Sequence, residues 1–394
     1  MDSETLLARI TDYASRPDPY PLYAELRAAG PVVRQADGSY LIGTYHEIAA
    51  LLHDPRMSVD PRIRGEVLHK PPFLRLDDPE HHRLRTLAMR PFGPPHSPGR
   101  VDAMRGEIDR ITKELLASFE TGRQVDIVDD FAYPLPVTVI CRLLGVPRED
   151  EPLFRAWSDA LVTAADARPG QDTTEQHKGG DRARIEMGGY LVGLAEQRRG
   201  HPQDDMLSAF VNEPDPELRL TQEELAETAV LLLIAGHETT VNLIANGVLT
   251  FLRRPEHLDQ LRRDPDLLPR AVEELLRFEP PVQMRERIPR ADLQVAGTLI
   301  PENASVILAL ASGNRDPMRF RKPDRFDPTR PDNQHLGFGS GIHLCYGAPL
   351  ARIEAQSALR ALIAHLGTAR LLQDPPPYRQ NAMLRGPRHL PVQL

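Results

Sequence analysis

Thr221-Gln222-Glu223-Glu224 sets the scale of this fold, because it opens the longest helical pattern in the chain. A threonine cap with glutamate three residues on satisfies two orphan amides reciprocally. The helix it starts runs to about Arg253, roughly 48 Å at 1.5 Å per residue. Val230 to Ala235 is apolar all round, so this stretch needs protein on every side. A helix this long with a buried middle requires a large, mainly helical body around it. Within that middle stands Gly236-His237-Glu238-Thr239-Thr240. Glycine there costs about 1 kcal/mol relative to alanine, and a buried carboxyl needs a partner or water. Local violations of this kind mark functional sites. A zinc-protease helix needs His-Glu-x-x-His, but Val241 stands where the second histidine belongs, which excludes that chemistry. A kinked helix with a solvated polar face stays open at this point.

The second constraint is the run Phe338-Gly339-Ser340-Gly341-Ile342-His343-Leu344-Cys345-Tyr346-Gly347-Ala348-Pro349. Leu350, Ile353, Leu359, Leu362, Ile363 and Leu366 then mark one helical face, with Gly367 placed to close it. Pro349 suits the first turn, where its missing amide hydrogen is no loss. Cys345 thus precedes a helix N-terminus, whose partial positive charge favours an anion. Its pKa is expected well below the free value of roughly 8.5. One cysteine in a glycine-rich turn also fits a structural role. No Gly-Lys-Ser/Thr follows for a P-loop, and no Gly-x-Gly-x-x-Gly follows a strand for a dinucleotide.

A chain of 394 residues with 41% hydrophobic content buries a large core. Two cysteines are too few for a disulfide framework or an iron–sulfur cluster, and Cys141, in an apolar helix-like stretch, is expected in the core. No unbroken run of about 18 apolar residues marks a membrane span or signal peptide. The acidic opening Met1-Asp2-Ser3-Glu4 also argues against export, so a cytoplasmic location is expected. A net charge of −8 argues against general nucleic-acid binding. Strand signals are few: Val32–Gln35 and Tyr40–Ile42 around the turn Asp37-Gly38, then Leu293–Val295 and Ser305–Leu308. The 38 prolines fall mainly in connections, and Pro91–Gly99 and Arg168–Gly180 are expected as loops.

The run at 338–347 resembles the haem-ligand signature of the cytochrome P450 superfamily, Phe-Gly-x-Gly-x-His/Arg-x-Cys-x-Gly. Phe338, Gly339, Gly341, His343, Cys345 and Gly347 fit it. The resemblance implies a single cytochrome P450 domain over 1–394: mainly α, a helical bundle around haem with small antiparallel sheets. It implies haem b (iron protoporphyrin IX) as cofactor and Cys345 as axial iron ligand. Ala235, Gly236, Glu238 and Thr239 match the family's oxygen-binding groove, which implies proton delivery by Glu238 and Thr239. Thr240 is expected as a helix-stabilising neighbour and His237 as structural. His81 and Arg85, one turn apart, resemble the family's His-x-x-x-Arg helix, and with Arg287 and His343 they are implied as propionate partners. Glu274 and Arg277 match Glu-x-x-Arg, with Arg325 as third member of a structural trio.

The implied function is monooxygenation of a hydrophobic small-to-medium organic molecule by a monomer fed by ferredoxin and ferredoxin reductase. Rivals are a peroxide-driven peroxygenase and a non-catalytic haem sensor or carrier. Arg83, Arg85, Arg90 and Arg352 are expected to form a docking patch for the redox partner. By position, Leu231, Ala235, Val282, Met284 and Met383 are expected to line the substrate pocket, along with segments of Met57–Phe73 and Phe154–Ile185. Arg62, Arg64, His69 and Lys70 offer charge for an acidic substrate or a carrier protein, or simply a solvated loop.

Overall fold

The capped helix runs from Gln222 to Leu252, with both halves of the capping box formed. The computed structural model describes residues 5–66, 71–93, 97, 99–166 and 174–394. The helix is long and apolar enough to cross a bilayer, yet 67% of its most apolar window is buried inside the protein, as in a core helix. Pro134–Leu144, Thr174–Arg198 and Ala348–His365 pack around it. One apolar core runs through all four, including Leu143, Leu191, Leu233, Val248 and Leu359, and it takes in Cys141 as expected. Burial pushes the Cys141 thiol up to about 12, which leaves it inert at neutral pH.

The largest sheet orders its strands Val32–Arg34, Tyr40–Ile42, Val306–Leu308, Arg285–Pro289 and Met57–Ser58. The Asp37-Gly38 hairpin forms as expected, with Val33 opposite Leu41 and Gly38 at φ 85°. One departure is that Tyr40–Ile42 runs parallel to Val306–Leu308, so the sheet is mixed where antiparallel pairing was expected. The strands are far apart in sequence, and no local turn dictates their direction. Leu293–Val295 pairs with Thr298–Ile300 through Ala296-Gly297, both at positive φ as a tight hairpin turn requires.

Helix Leu268–Phe278 carries the Glu-x-x-Arg pair at the centre of the protein. Arg277 donates two parallel hydrogen bonds to Glu274, at 2.8 and 2.7 Å, and both side chains are 0% exposed. The third member is Arg330, whose Nε lies 3.2 and 3.1 Å from the two Glu274 oxygens. Arg325, expected in that role, gives only its backbone carbonyl to Arg277 at 3.2 Å. Its turn sends Phe326 into the core and the Arg325 side chain outward.

The segment Arg168–Gly180 also departs from expectation. Helix Thr174–Arg198 begins inside it, and Lys178 pairs with Glu175 at 2.9 Å one turn away. Its polarity belongs to a solvated helix surface, not to a loop. Residues 168–173, and 94–96 and 98 of the other expected loop, lie outside the described residues.

Candidate active site

A cavity of about 770 Å³ opens between the central helix, the cysteine loop and the strand Arg285–Pro289. The loop is held by Cys345 N–H donating to Phe338 O at 2.9 Å and Leu344 N–H to Gly341 O at 3.0 Å. Gly341 sits at φ 71°, and a Cβ there would meet Leu52 O at 2.2 Å, so only glycine fits. Helix Ala348–His365 starts directly after the loop with Pro349 in its first turn. Phe338, Cys345 and Gly347 all line the cavity.

The Cys345 thiol departs from expectation. Burial pushes its pKa up, against the pull of the Gly347 N–H and the cations Arg85, Arg285 and Arg352. Cys345 is exposed, and it lines the cavity. Desolvation among apolar walls therefore outweighs the helix-terminus field. A thiol in this state ionises when a metal binds it, since coordination removes the proton outright.

The opposite requirement, groups for an anion, appears beside it. His81, on helix Glu80–Met89, places Nδ1 3.1 Å from Asp78 and leaves Nε2 buried without a partner. The His343 ring lies 4.2 Å from the His81 ring, and both its nitrogens are buried and unpartnered. Burial, with His81 and Arg287 adding to it, pushes His343 down to about 3. Arg85 donates to Leu344 O at 2.6 Å. Arg287 is 7% exposed and donates to Glu286 O at 2.9 Å. Orphaned polar atoms and cations of this kind fit the carboxylates of a haem, and one thiol at the cavity wall fits its iron. Arg85, Arg287 and His343 line the cavity, while His81 stands behind His343.

Ala235, Gly236, Glu238 and Thr239 line the same cavity as Cys345. A Cβ on Gly236 would meet nothing within 4 Å, so the groove is open there. The Thr239 hydroxyl donates to Ala235 O at 2.9 Å, which satisfies it along its own helix. Glu238 is 8% exposed and lies 2.6 Å from Nε of Arg379, itself 2% exposed. Burial raises the Glu238 pKa and Arg379 opposes the rise. No local pattern points to Arg379, which comes from a C-terminal segment 141 residues from Glu238 by the numbering. His237 packs its ring edge-on against Tyr133 at 4.3 Å, and it too lines the cavity.

A further carboxyl went unnoticed in the sequence. Glu354 is 3% exposed, and burial pushes it up to about 8, against a hydrogen bond with Thr240 that lowers it. Its folded pKa lies above the unfolded value, so the native state holds an extra proton between about 4.5 and 8. Stability from this group therefore declines as pH rises through that window. Glu354→Gln is expected to leave the melting temperature of the haem-loaded protein unchanged near pH 5 and to raise it near pH 8. Equal effects at both pH values would show that Glu354 is not buried neutral.

Of the expected pocket residues, Leu231, Ala235, Val282 and Met383 line the cavity. Met284 does not. It is 1% exposed and packs with Ile10, Tyr23, Leu26 and Leu41. It stands one residue from Arg285, which does line the cavity, and an extended chain points neighbouring side chains to opposite faces.

The basic groups expected to meet an acidic partner are largely neutralised. Arg62 is held by Asp60 and Glu80, both at 2.6 Å, and Arg64 by Glu286 at 3.0 Å. His69 and Lys70 lie outside the described residues. In the expected docking patch Arg83 pairs with Glu224, Arg90 with Glu213 at 3.3 Å, and Arg352 with Glu273 at 2.7 Å. Arg352 also lies over the Phe338 ring, 4.6 Å from its centroid, and so braces the cysteine loop.

Comparison with known proteins agrees with this geometry. The family profile described as Cytochrome P450 matches residues 61–392. The chain is 42% identical over 398 residues to the cytochrome P450 monooxygenase PikC of Streptomyces venezuelae, covering 97% of this chain and 92% of that protein. It is 38% identical to the 6-deoxyerythronolide B hydroxylase of Saccharopolyspora erythraea, covering 96% of each. Among solved structures it is similar to P450BioI in complex with a hexadec-9Z-enoic acid ligated acyl carrier protein, with a TM-score of 0.86 at 35% identity, over 97% of this chain and 99% of that one.

Proposed function

Because the chain belongs to the cytochrome P450 family and is a haem-thiolate monooxygenase using haem b, we propose a role for each residue of the cavity. Cys345 would hold the iron, and His81, Arg85, Arg287 and His343 would receive the propionates. Glu238 and Thr239 would pass protons, while Leu231, Ala235, Val282 and Met383 meet the substrate. Phe338 and Gly347 shape the loop against the cofactor. Glu274 and Arg277, with Arg330, fix the fold beneath it. Residues 1–394 form one domain. Haem supplies the dioxygen-activating iron, and the protein's own groups do the rest. The apolar wall excludes water, and the thiolate would lend its negative charge to the iron. Thr239 must turn its hydroxyl away from Ala235 O to hand on a proton. Glu238 must loosen from Arg379 to supply one.

The observation that carries this reading is the placement of Cys345 and of the pair Glu238 and Thr239 on the walls of one cavity. The family takes external redox partners and hydrophobic substrates. For this chain we propose ferredoxin and ferredoxin reductase, a cytoplasmic location, a monomeric state and C–H hydroxylation or a related oxidation. The name of the 6-deoxyerythronolide B hydroxylase supports the last point.

Thr239→Ala is the test. With redox partners and a substrate that shifts the haem spectrum, oxidation of reduced nicotinamide cofactor is expected to continue. Product per electron should fall on the order of 10²-fold, the low end of what a placed proton donor supplies, with hydrogen peroxide released instead. Turnover on hydrogen peroxide alone, indifferent to Thr239→Ala, would indicate the peroxygenase. No electron uptake with any redox partner would indicate the sensor or carrier.

A further inference from the structure

The cavity contains a cation that the assigned roles leave unused. Arg285 stands two residues before Arg287 on the strand Arg285–Pro289, so alternation turns both toward the same face. Both line the cavity. Glu286, between them, is held by Arg64 at 3.0 Å and by the Ser305 hydroxyl at 2.7 Å. Among the described residues no hydrogen bond or ion pair reaches the Arg285 side chain. The acidic group whose field reaches it is the Cys345 thiol, and Arg287 feels Arg285 as a like charge.

Other carboxyls on the cavity wall are committed elsewhere or held neutral: Glu66 lies 4.0 Å from Arg75, and burial keeps Glu354 protonated. Glu238 lies against Arg379 and Glu227 pairs with Arg184. Asp166 accepts the Asn381 N–H at 2.7 Å. A guanidinium cannot give up its proton in a protein, so it cannot escape the cost of lost water by becoming neutral. Two such groups side by side in an apolar cavity call for arriving negative charge. The planar fork of Arg285 matches the two oxygens of a carboxylate.

We propose that Arg285 is a carboxylate-binding residue of this cavity, taking either a haem propionate or an acid group on the substrate. The inference rests on haem occupying the cavity. It adds to the four proposed propionate partners a further cavity cation, which sequence resemblance did not mark.

The test uses haem-loaded wild type, Arg285→Gln and Arg285→Lys. One arm measures haem transfer to apomyoglobin. The other titrates dodecanoic acid and its methyl ester as probes, reading the spin-state shift of the haem spectrum. If the carboxylate is a propionate, Arg285→Gln loses haem at least about tenfold faster, Arg285→Lys restores part of the retention, and probe binding is unchanged. If it belongs to the substrate, wild type binds the acid at least about tenfold more tightly than the ester, which is about 1.4 kcal/mol. Arg285→Gln then erases that preference and keeps its haem. Should the glutamine variant fail to fold, the lysine variant, which keeps the charge without the fork, is read the same way at smaller size. Unchanged haem transfer and unchanged probe preference in a haem-loaded variant overturn the proposal. A wild type that takes up no haem would instead overturn the cofactor placement beneath it.

Discussion

Cys345→Ser is expected to abolish monooxygenase turnover and to remove the red-shifted Soret band of the reduced carbon-monoxide complex. The loop remains foldable in this variant, because its hydrogen bonds come from backbone atoms of Phe338, Gly341, Leu344 and Cys345. The glycines that shape it are untouched. What is lost is the sulfur, and with it the electron density a thiolate lends to breaking the O–O bond. Haem is expected to be retained in part, since His81, Arg85, Arg287 and His343 are unaltered. Retention of the red-shifted band in the serine protein would refute the placement of iron at this residue.

Glu274→Ala is expected to destabilise the protein by about 3–5 kcal/mol or more, the usual cost of stranding a buried charge. The carboxylate serves two guanidiniums, Arg277 at 0% side-chain exposure and Arg330 at 8%. It also accepts the Asp327 N–H at 2.9 Å and the Asn333 amide at 3.2 Å. Its removal strands both cations, in a protein whose whole margin is of order 5–15 kcal/mol. Arg325→Ala is expected to change stability by no more than about 0.5 kcal/mol, as is usual for a surface side chain. Chemical denaturation of the three proteins checks the order. Equal losses in the two variants would restore Arg325 to the trio.

The contrast between Arg325 and Arg330 shows where sequence reasoning reaches its limit. The capping box at Thr221, the hairpin at Asp37-Gly38 and the turn-to-helix run at Cys345 are written in adjacent residues, and each formed where expected. Glu274 and Arg277 are likewise three apart on one helix. Their partner is chosen by how a distant loop folds back, which no local spacing encodes. The same holds for Arg379 against Glu238 and for Glu354 beside Thr240: each faces the cavity only through packing of elements far apart in the chain. The Cys345 pKa went astray for a related reason. The helix terminus is visible in the sequence, whereas the apolar cavity that outweighs it exists only after folding. Met284 was misplaced by one step of alternation, and Thr174–Gly180 because a solvated helix and a loop share a polar composition.

X-ray absorption at the iron edge of the haem-loaded wild-type protein tests the central claim most directly. The account predicts one sulfur scatterer bound to iron, lost in Cys345→Ser. A first shell of nitrogen and oxygen alone would contradict it.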